Sequence, residues 1–219
     1  MQQSSSIPVA PTGASDPTPS FVTAKPPSSW RGALATISIL VAAPLVALLL
    51  TAFIFQSYEV DGPSMETTLQ NRDRLIVWKV PRTLARVTNN AYIPERSDII
   101  IFVKRGLYET GGNQEKQLIK RVIGLPGDRV LVQDGHITVF NNEHPDGYNP
   151  DLGQEFSGNI ASITTGNVDV VVQDGEVFVC GDNRTNSLDS RSFGTISSDD
   201  IVGKLAIRIF PINNFKSFI

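Results

Sequence analysis

The chain has 219 residues, a formal net charge of −3 and a pI near 5.4, with 41% apolar and 19% charged residues. This is globular composition without a basic surplus, so it excludes a wholly disordered chain and a general attraction for nucleic acid. One cysteine, Cys180, and two histidines, His136 and His144, exclude an internal disulfide, a thiolate-rich zinc site, an iron–sulfur cluster and a His-rich metal centre. No metal and no cofactor is expected.

Of residues 1–30, 16 are Pro, Ser or Thr, and Asp16 and Lys25 are their only charges. Such a segment buries too little apolar surface to offset its ordering entropy, which predicts a disordered tail over 1–31. The lack of Arg in residues 1–30 argues against a transit peptide. From Gly32 to Phe55 the chain runs 24 residues without a charge. At ~1.5 Å per residue it spans ~36 Å, enough for a ~30 Å hydrocarbon core, and it is longer than a cleavable signal core. A single membrane anchor over 32–56 is expected, with Pro44 tolerated inside it. Lys25 and Arg31 precede it and Glu59 and Asp61 follow. The positive-inside bias then leaves the N-terminus in the cytoplasm and 57–219 outside.

Residues 57–219 read as all-β: an antiparallel, barrel-like or sandwiched sheet domain. Arg129–Gln133, Asp134-Gly135 and His136–Phe140 form a hairpin signature, two β-prone runs around a turn that accepts positive φ. Val168–Val172 and Glu176–Cys180, around Gln173-Asp174-Gly175, repeat it. Further strands are expected at Leu75–Val80, Asp98–Lys104, Gln117–Ile123 and Ile201–Phe210. No long helical periodicity follows Tyr58, and 141–167 reads as a long surface loop.

Three segments stand out, each with a plain structural explanation when taken alone. In Gly62-Pro63-Ser64-Met65-Glu66-Thr67-Thr68-Leu69, the Gly-Pro pair predicts a bend that projects Ser64; a serine there is commonly only a turn residue. Lys120-Arg121-Val122-Ile123-Gly124-Leu125-Pro126-Gly127-Asp128 places a lysine in an apolar strand, where it could be an exposed cation. Gly181-Asp182-Asn183-Arg184-Thr185-Asn186-Ser187-Leu188-Asp189-Ser190-Arg191 is polar enough to be a loop held by its own side chains.

In this order after one anchor, and with the Ser97–Phe102 strand box, they resemble the type I signal peptidases, bacterial leader peptidases with a Ser/Lys dyad. The resemblance covers nearly all of Glu59 to Phe210. It implies Ser64 as nucleophile and Lys120 as general base, a sensible pair. A serine hydroxyl needs a base, and burial beside Leu118, Ile119, Val122 and Ile123 would strip lysine of its charge. Neither histidine is then needed, and both read as surface residues. The resemblance also implies that Ser187 hydrogen-bonds the lysine amine and that Met65 packs beneath the site. It pairs Asp189 with Arg191 and Asp182 with Arg121.

Its substrates would be signal peptides of exported preproteins, cut after an Ala-X-Ala-like sequence. They would lie as a strand beside Val60, Asp61, Gly62, Leu118 and Ile119. The enzyme would be a monomer held in the bacterial cytoplasmic membrane, its partners being the lipid bilayer and no nucleic acid. Two departures matter. Thr67 stands where many relatives have Pro. Gly62 stands where some carry an oxyanion-binding Ser, which leaves the oxyanion to the Ser64 backbone N–H. Gly181 follows Asp128 by only 53 positions, so any accessory insertion, around 129–178, is small.

Two other readings fit less well. A membrane-anchored β-module that binds secreted chains would not need Ser64, Lys120 and Ser187 together. A self-cleaving repressor-type protease would need a DNA-binding domain in place of the anchor. Within the enzyme class, a mitochondrial-type inner-membrane peptidase is the nearest alternative.

Overall fold

A computed structural model describes residues 29–106, 115–152, 160 and 163–218. The expected 1–31 tail lies almost wholly outside these residues, as do 153–159, 161 and 162 of the expected loop. The chain divides into two compact units, the first ending at Ala43 and the second running from Pro44.

Helix α1, Ser29–Phe53, contains Pro44 and carries no charge after Arg31. Its large side chains are exposed on every side, among them Leu40, Val41 and Leu48. Three hydroxyls in its length turn back onto the helix: Thr36 donates to Gly32 O, Ser38 to Ala35 O, and Thr51 to Ala47 O and Leu48 O. Polar groups satisfied within their own helix suit an apolar surrounding, where no water could replace the partner.

The second unit holds two antiparallel sheets. The strands are β1 (Phe55–Glu59), β2 (Arg74–Trp78), β3 (Ile99–Lys104), β4 (Lys116–Gly124), β5 (Arg129–Gln133), β6 (His136–Phe140), β7 (Val168–Val171), β8 (Glu176–Cys180), β9 (Ile196–Ser197), β10 (Ile201–Phe210) and β11 (Lys216–Ser217). The large sheet runs β1-β2-β10-β3-β4-β8-β9, with β11 beside β10, and the small one runs β6-β5-β7. The all-β reading is therefore correct, and the β5–β6 hairpin closes through Asp134 at φ 52°.

Burial on both faces explains the strongest strand signal. In β3, Ile100 and Phe102 pack with Val122, Val177, Val179 and Ile201, whereas Ile99 joins Leu75, Met65 and Leu205. Alternate residues point to opposite faces, so an uninterrupted apolar run serves two cores.

Three expectations need correction. Val168–Val172 and Glu176–Cys180 do not form a hairpin: β7 pairs with β5, while β8 pairs with β4 and β9. Burial explains the separation, because β7 alternates and can lie at an edge, whereas Val177 to Cys180 are all buried. The expected strand to Val80 stops at Trp78, and Val80–Val87 forms helix α2, with Pro81 in its first turn. Proline ends a ladder but is pre-set for a helix start, and two turns are too short for a periodicity window. In the expected surface loop, Tyr148 bridges Val139 and Thr164 is buried.

Gly124 ends β4 where its ladder with β8 shifts register. A Cβ there would lie 2.7 Å from Val130 Cγ2 and 3.1 Å from Phe178 Cβ. Gly124→Ala should therefore destabilise the protein by about 1–3 kcal/mol through overpacking, read as a lower urea midpoint. A change below about 0.5 kcal/mol would show that these core side chains relax freely.

Candidate active site

Ser64 sits on a tight turn after β1. The base of its loop is closed by Val60 N–H to Asp73 O (2.9 Å) and Arg72 N–H to Val60 O (2.8 Å). Its tip is anchored by Met65 and Leu69, both fully buried beside Leu75 and Ile99. Gly62 lies at φ 99°, which favours glycine, and its N–H donates to Asn71 Oδ1 (3.1 Å). Thr67 completes the turn; Glu66 N–H reaches Pro63 O (3.1 Å) and Thr68 N–H reaches Met65 O (2.9 Å).

Lys120 lies in β4, opposite Ile100, and is 2% exposed. Its Nζ donates to Ser64 Oγ at 2.7 Å and to Ile119 O at 2.9 Å. Burial, only partly opposed by the negative charge of Asp189, lowers its pKa from the ordinary 10.5 to about 8.

The two residues face a cleft of about 250 Å³. One wall is Tyr58 to Ser64 and the other Lys116 to Lys120, with Leu75, Ile101 and Leu188 between. Val60, Asp61, Gly62, Leu118 and Ile119 all line it. Each wall includes a strand edge, β1 up to Glu59 and β4 from Lys116, that is unpaired among the described residues. β1 pairs only with β2, and β4 pairs with β8 only from Arg121 onward.

The 181–191 loop closes the site through the buried Arg121 and Arg184 and the half-buried Arg191. Arg121 grips Asp182 with two bonds (2.8 and 2.6 Å) and Ser97 O with a third. Arg191 holds Asp189 with two more, and Asp189 accepts the Gly181 N–H at 2.9 Å. Arg184, which the sequence did not single out, is fully buried and binds Asp151, Thr164 and Gly181 O.

Ser187 departs from expectation. The lysine amine donates to Ser64 and Ile119 O instead, and the buried Ser187 hydroxyl makes no hydrogen bond among the described residues. It is packed against Gly181, where a Cβ would fall 2.2 Å from Ser187 Oγ and 2.4 Å from Ser64 O. Gly181 and Asn183, whose N–H donates to Ser64 O at 3.1 Å, were both missed as site residues. Their only sequence signal was membership of the closing loop.

His136 and His144 are exposed and do not line the cleft. Cys180 is buried, and desolvation pushes its thiol far above the usual range, so it is an inert core residue. Among the described residues no cluster of three His, Cys, Asp or Glu could hold a metal ion.

The Lys120 shift has a stability consequence. Below pH 8 the amine is charged in both folded and unfolded states and burial disfavours the folded one. Between about pH 8 and 10.5 the folded state sheds its proton first, so the penalty fades as pH rises. Lys120→Met should stabilise the fold at pH 6, by on the order of 3 kcal/mol before the lost amine bonds are counted. The gain should shrink toward pH 10. Denaturant titrations at both pH values check it; an equal gain at both would refute burial as the cause.

Residues 33–210 match the family model described as "Signal peptidase, peptidase S26". The chain is 31% identical over 181 residues to signal peptidase I of Bacillus licheniformis, covering 82% of this chain and 90% of that protein. It is 35% identical over 191 residues to the probable signal peptidase I-1 of Synechocystis, covering 86% and 88%. With signal peptidase I T of Bacillus subtilis it shares 33% over 178 residues, covering 81% and 85%. The chain belongs to the signal peptidases of family S26, and it is a serine peptidase.

Proposed function

We propose that this chain cleaves signal peptides from exported preproteins, with Ser64 as nucleophile and Lys120 as general base. The observation that carries this reading is the 2.7 Å contact between Lys120 Nζ and Ser64 Oγ at a cleft bordered by the ends of β1 and β4, whose facing edges are unpaired among the described residues. An extended substrate would add its backbone to those edges. Its alternate side chains would face the small apolar floor made by Leu75, Ile101 and Ile119, which suits an Ala-X-Ala-like sequence.

Catalysis begins when neutral Lys120 takes the Ser64 proton as Oγ attacks the scissile carbonyl carbon. The Ser64 N–H receives the developing oxyanion. Lys120, now an ammonium, returns the proton to the leaving amine of the mature chain, and an ester on Ser64 remains. Water then attacks that ester with Lys120 again as base, releasing the signal peptide carboxylate and restoring Ser64. Ser187, by packing on Gly181, keeps the closing loop seated against the nucleophile turn.

Helix α1 is long and apolar enough to cross a bilayer. It would anchor the enzyme in the cytoplasmic membrane, N-terminus inside and residues 57–219 outside. The small β5–β6–β7 sheet is the accessory insertion within 129–178.

The detergent-solubilised full chain, incubated with a preprotein, tests this. Ser64→Ala and Lys120→Ala should each abolish cleavage while leaving the protein folded; near wild-type activity in either would sink the dyad. Activity should rise with pH through one ionisation near 8, as Lys120 deprotonates. Replacing both histidines by Gln should leave that limb in place. Gly181→Ala should cost at least about a hundredfold, the loss expected when an oxyanion site is displaced.

A further inference from the structure

We propose that Asn183 is a positioning residue for the oxyanion donor, holding the peptide plane between Pro63 and Ser64 so that the Ser64 N–H is aimed at the developing charge. The proposal rests on the Ser64/Lys120 reading and adds a residue that reading does not use.

The peptide unit is planar, with its carbonyl and N–H on opposite sides. Whatever fixes the Pro63 carbonyl therefore fixes the Ser64 N–H. Asn183 Nδ2 donates to Pro63 O at 3.2 Å, beside the Glu66 N–H at 3.1 Å. The Asn183 backbone N–H donates to Ser64 O at 3.1 Å. One residue thus holds the carbonyls on both sides of the nucleophile. Its own amide is oriented by Thr185, whose hydroxyl donates to Asn183 Oδ1 at 3.3 Å.

The donor so placed is free. Among the described residues no acceptor takes the Ser64 N–H, whereas the neighbouring Gly62 N–H is spent on Asn71 Oδ1. Two donors on the Pro63 carbonyl also polarise that amide, which strengthens its N–H toward an anion. Asn183 is itself registered to the base. Asp182, just before it, is gripped by Arg121, just after Lys120. Gly62 has no side chain to offer the oxyanion, so the held Ser64 N–H is the donor on this turn.

The test uses the full-length detergent-solubilised enzyme and a signal-peptide-derived peptide aldehyde. Addition of Ser64 Oγ to the aldehyde carbon places a tetrahedral oxygen where the oxyanion would form. Asn183→Ala should lower kcat about tenfold, the scale of one lost hydrogen bond, with KM within about twofold. Aldehyde affinity should fall in parallel. Affinity for the corresponding product peptide, which forms no adduct, and the Lys120 ionisation should stay unchanged. Asn183→Asp, which replaces the donor by a carboxylate oxygen facing Pro63 O, should be worse. Thr185→Val removes only the orienting hydroxyl at an exposed position and should show a milder, kcat-only loss. Unchanged kcat and aldehyde affinity in Asn183→Ala overturn the proposal, as does an equal loss of aldehyde and product binding. Activity in Ser64→Ala would overturn the underlying dyad instead.

Discussion

A lysine amine that is 2% exposed, with Nζ 2.7 Å from a serine Oγ, is costly to bury, and the surrounding structure supplies what offsets that cost. Two acceptors, Ser64 Oγ and Ile119 O, take its hydrogens. The carboxylate of Asp189 is near enough to oppose desolvation, yet it is already committed to Arg191 and to the Gly181 N–H. The amine therefore feels a negative charge that cannot neutralise it through a direct contact. The result is a base balanced near neutrality, neither locked as a cation nor stripped of its proton at every pH.

The same logic runs through the closing loop. Its eleven-residue arc is polar and sits beside a core, a combination that leaves little apolar burial to hold it. Three arginines do the holding, each with a bidentate carboxylate and at least one backbone carbonyl. Buried pairs of this kind add little net stability over an apolar replacement, but removing one partner strands a charge. Their contribution here is geometry. They place Gly181 against Ser64 O with no room for a methyl group, and bring Asn183 over the nucleophile turn.

Much of this was legible in the sequence, for identifiable reasons. β3 and β10 announce themselves by apolar runs, and the β5–β6 hairpin by its Asp134-Gly135 turn. Ser64 and Lys120 were readable because their surrounding spellings are distinctive. The false second hairpin arose because Val168–Val172 and Glu176–Cys180 have similar local chemistry; which neighbour each strand finds is decided by long-range burial. Helix α2 escaped because two turns carry almost no periodic signal. Arg184 and Asp151 lie 33 positions apart and are brought together only by the tertiary fold. Asn183 acts largely through backbone groups and a generic amide, which no residue pattern distinguishes from an ordinary loop asparagine.

The solitary sulfhydryl of Cys180, fully enclosed in the β8 core and with its thiolate form strongly disfavoured, leaves this fold independent of any covalent cross-link. Its integrity is therefore indifferent to the thiol–disulfide balance of its surroundings. Its buried thiol offers no native handle to alkylating reagents. A cysteine introduced anywhere on its surface would be the single reactive thiol in the molecule, so site-directed spectroscopic labels can be placed on it without first altering the native chain.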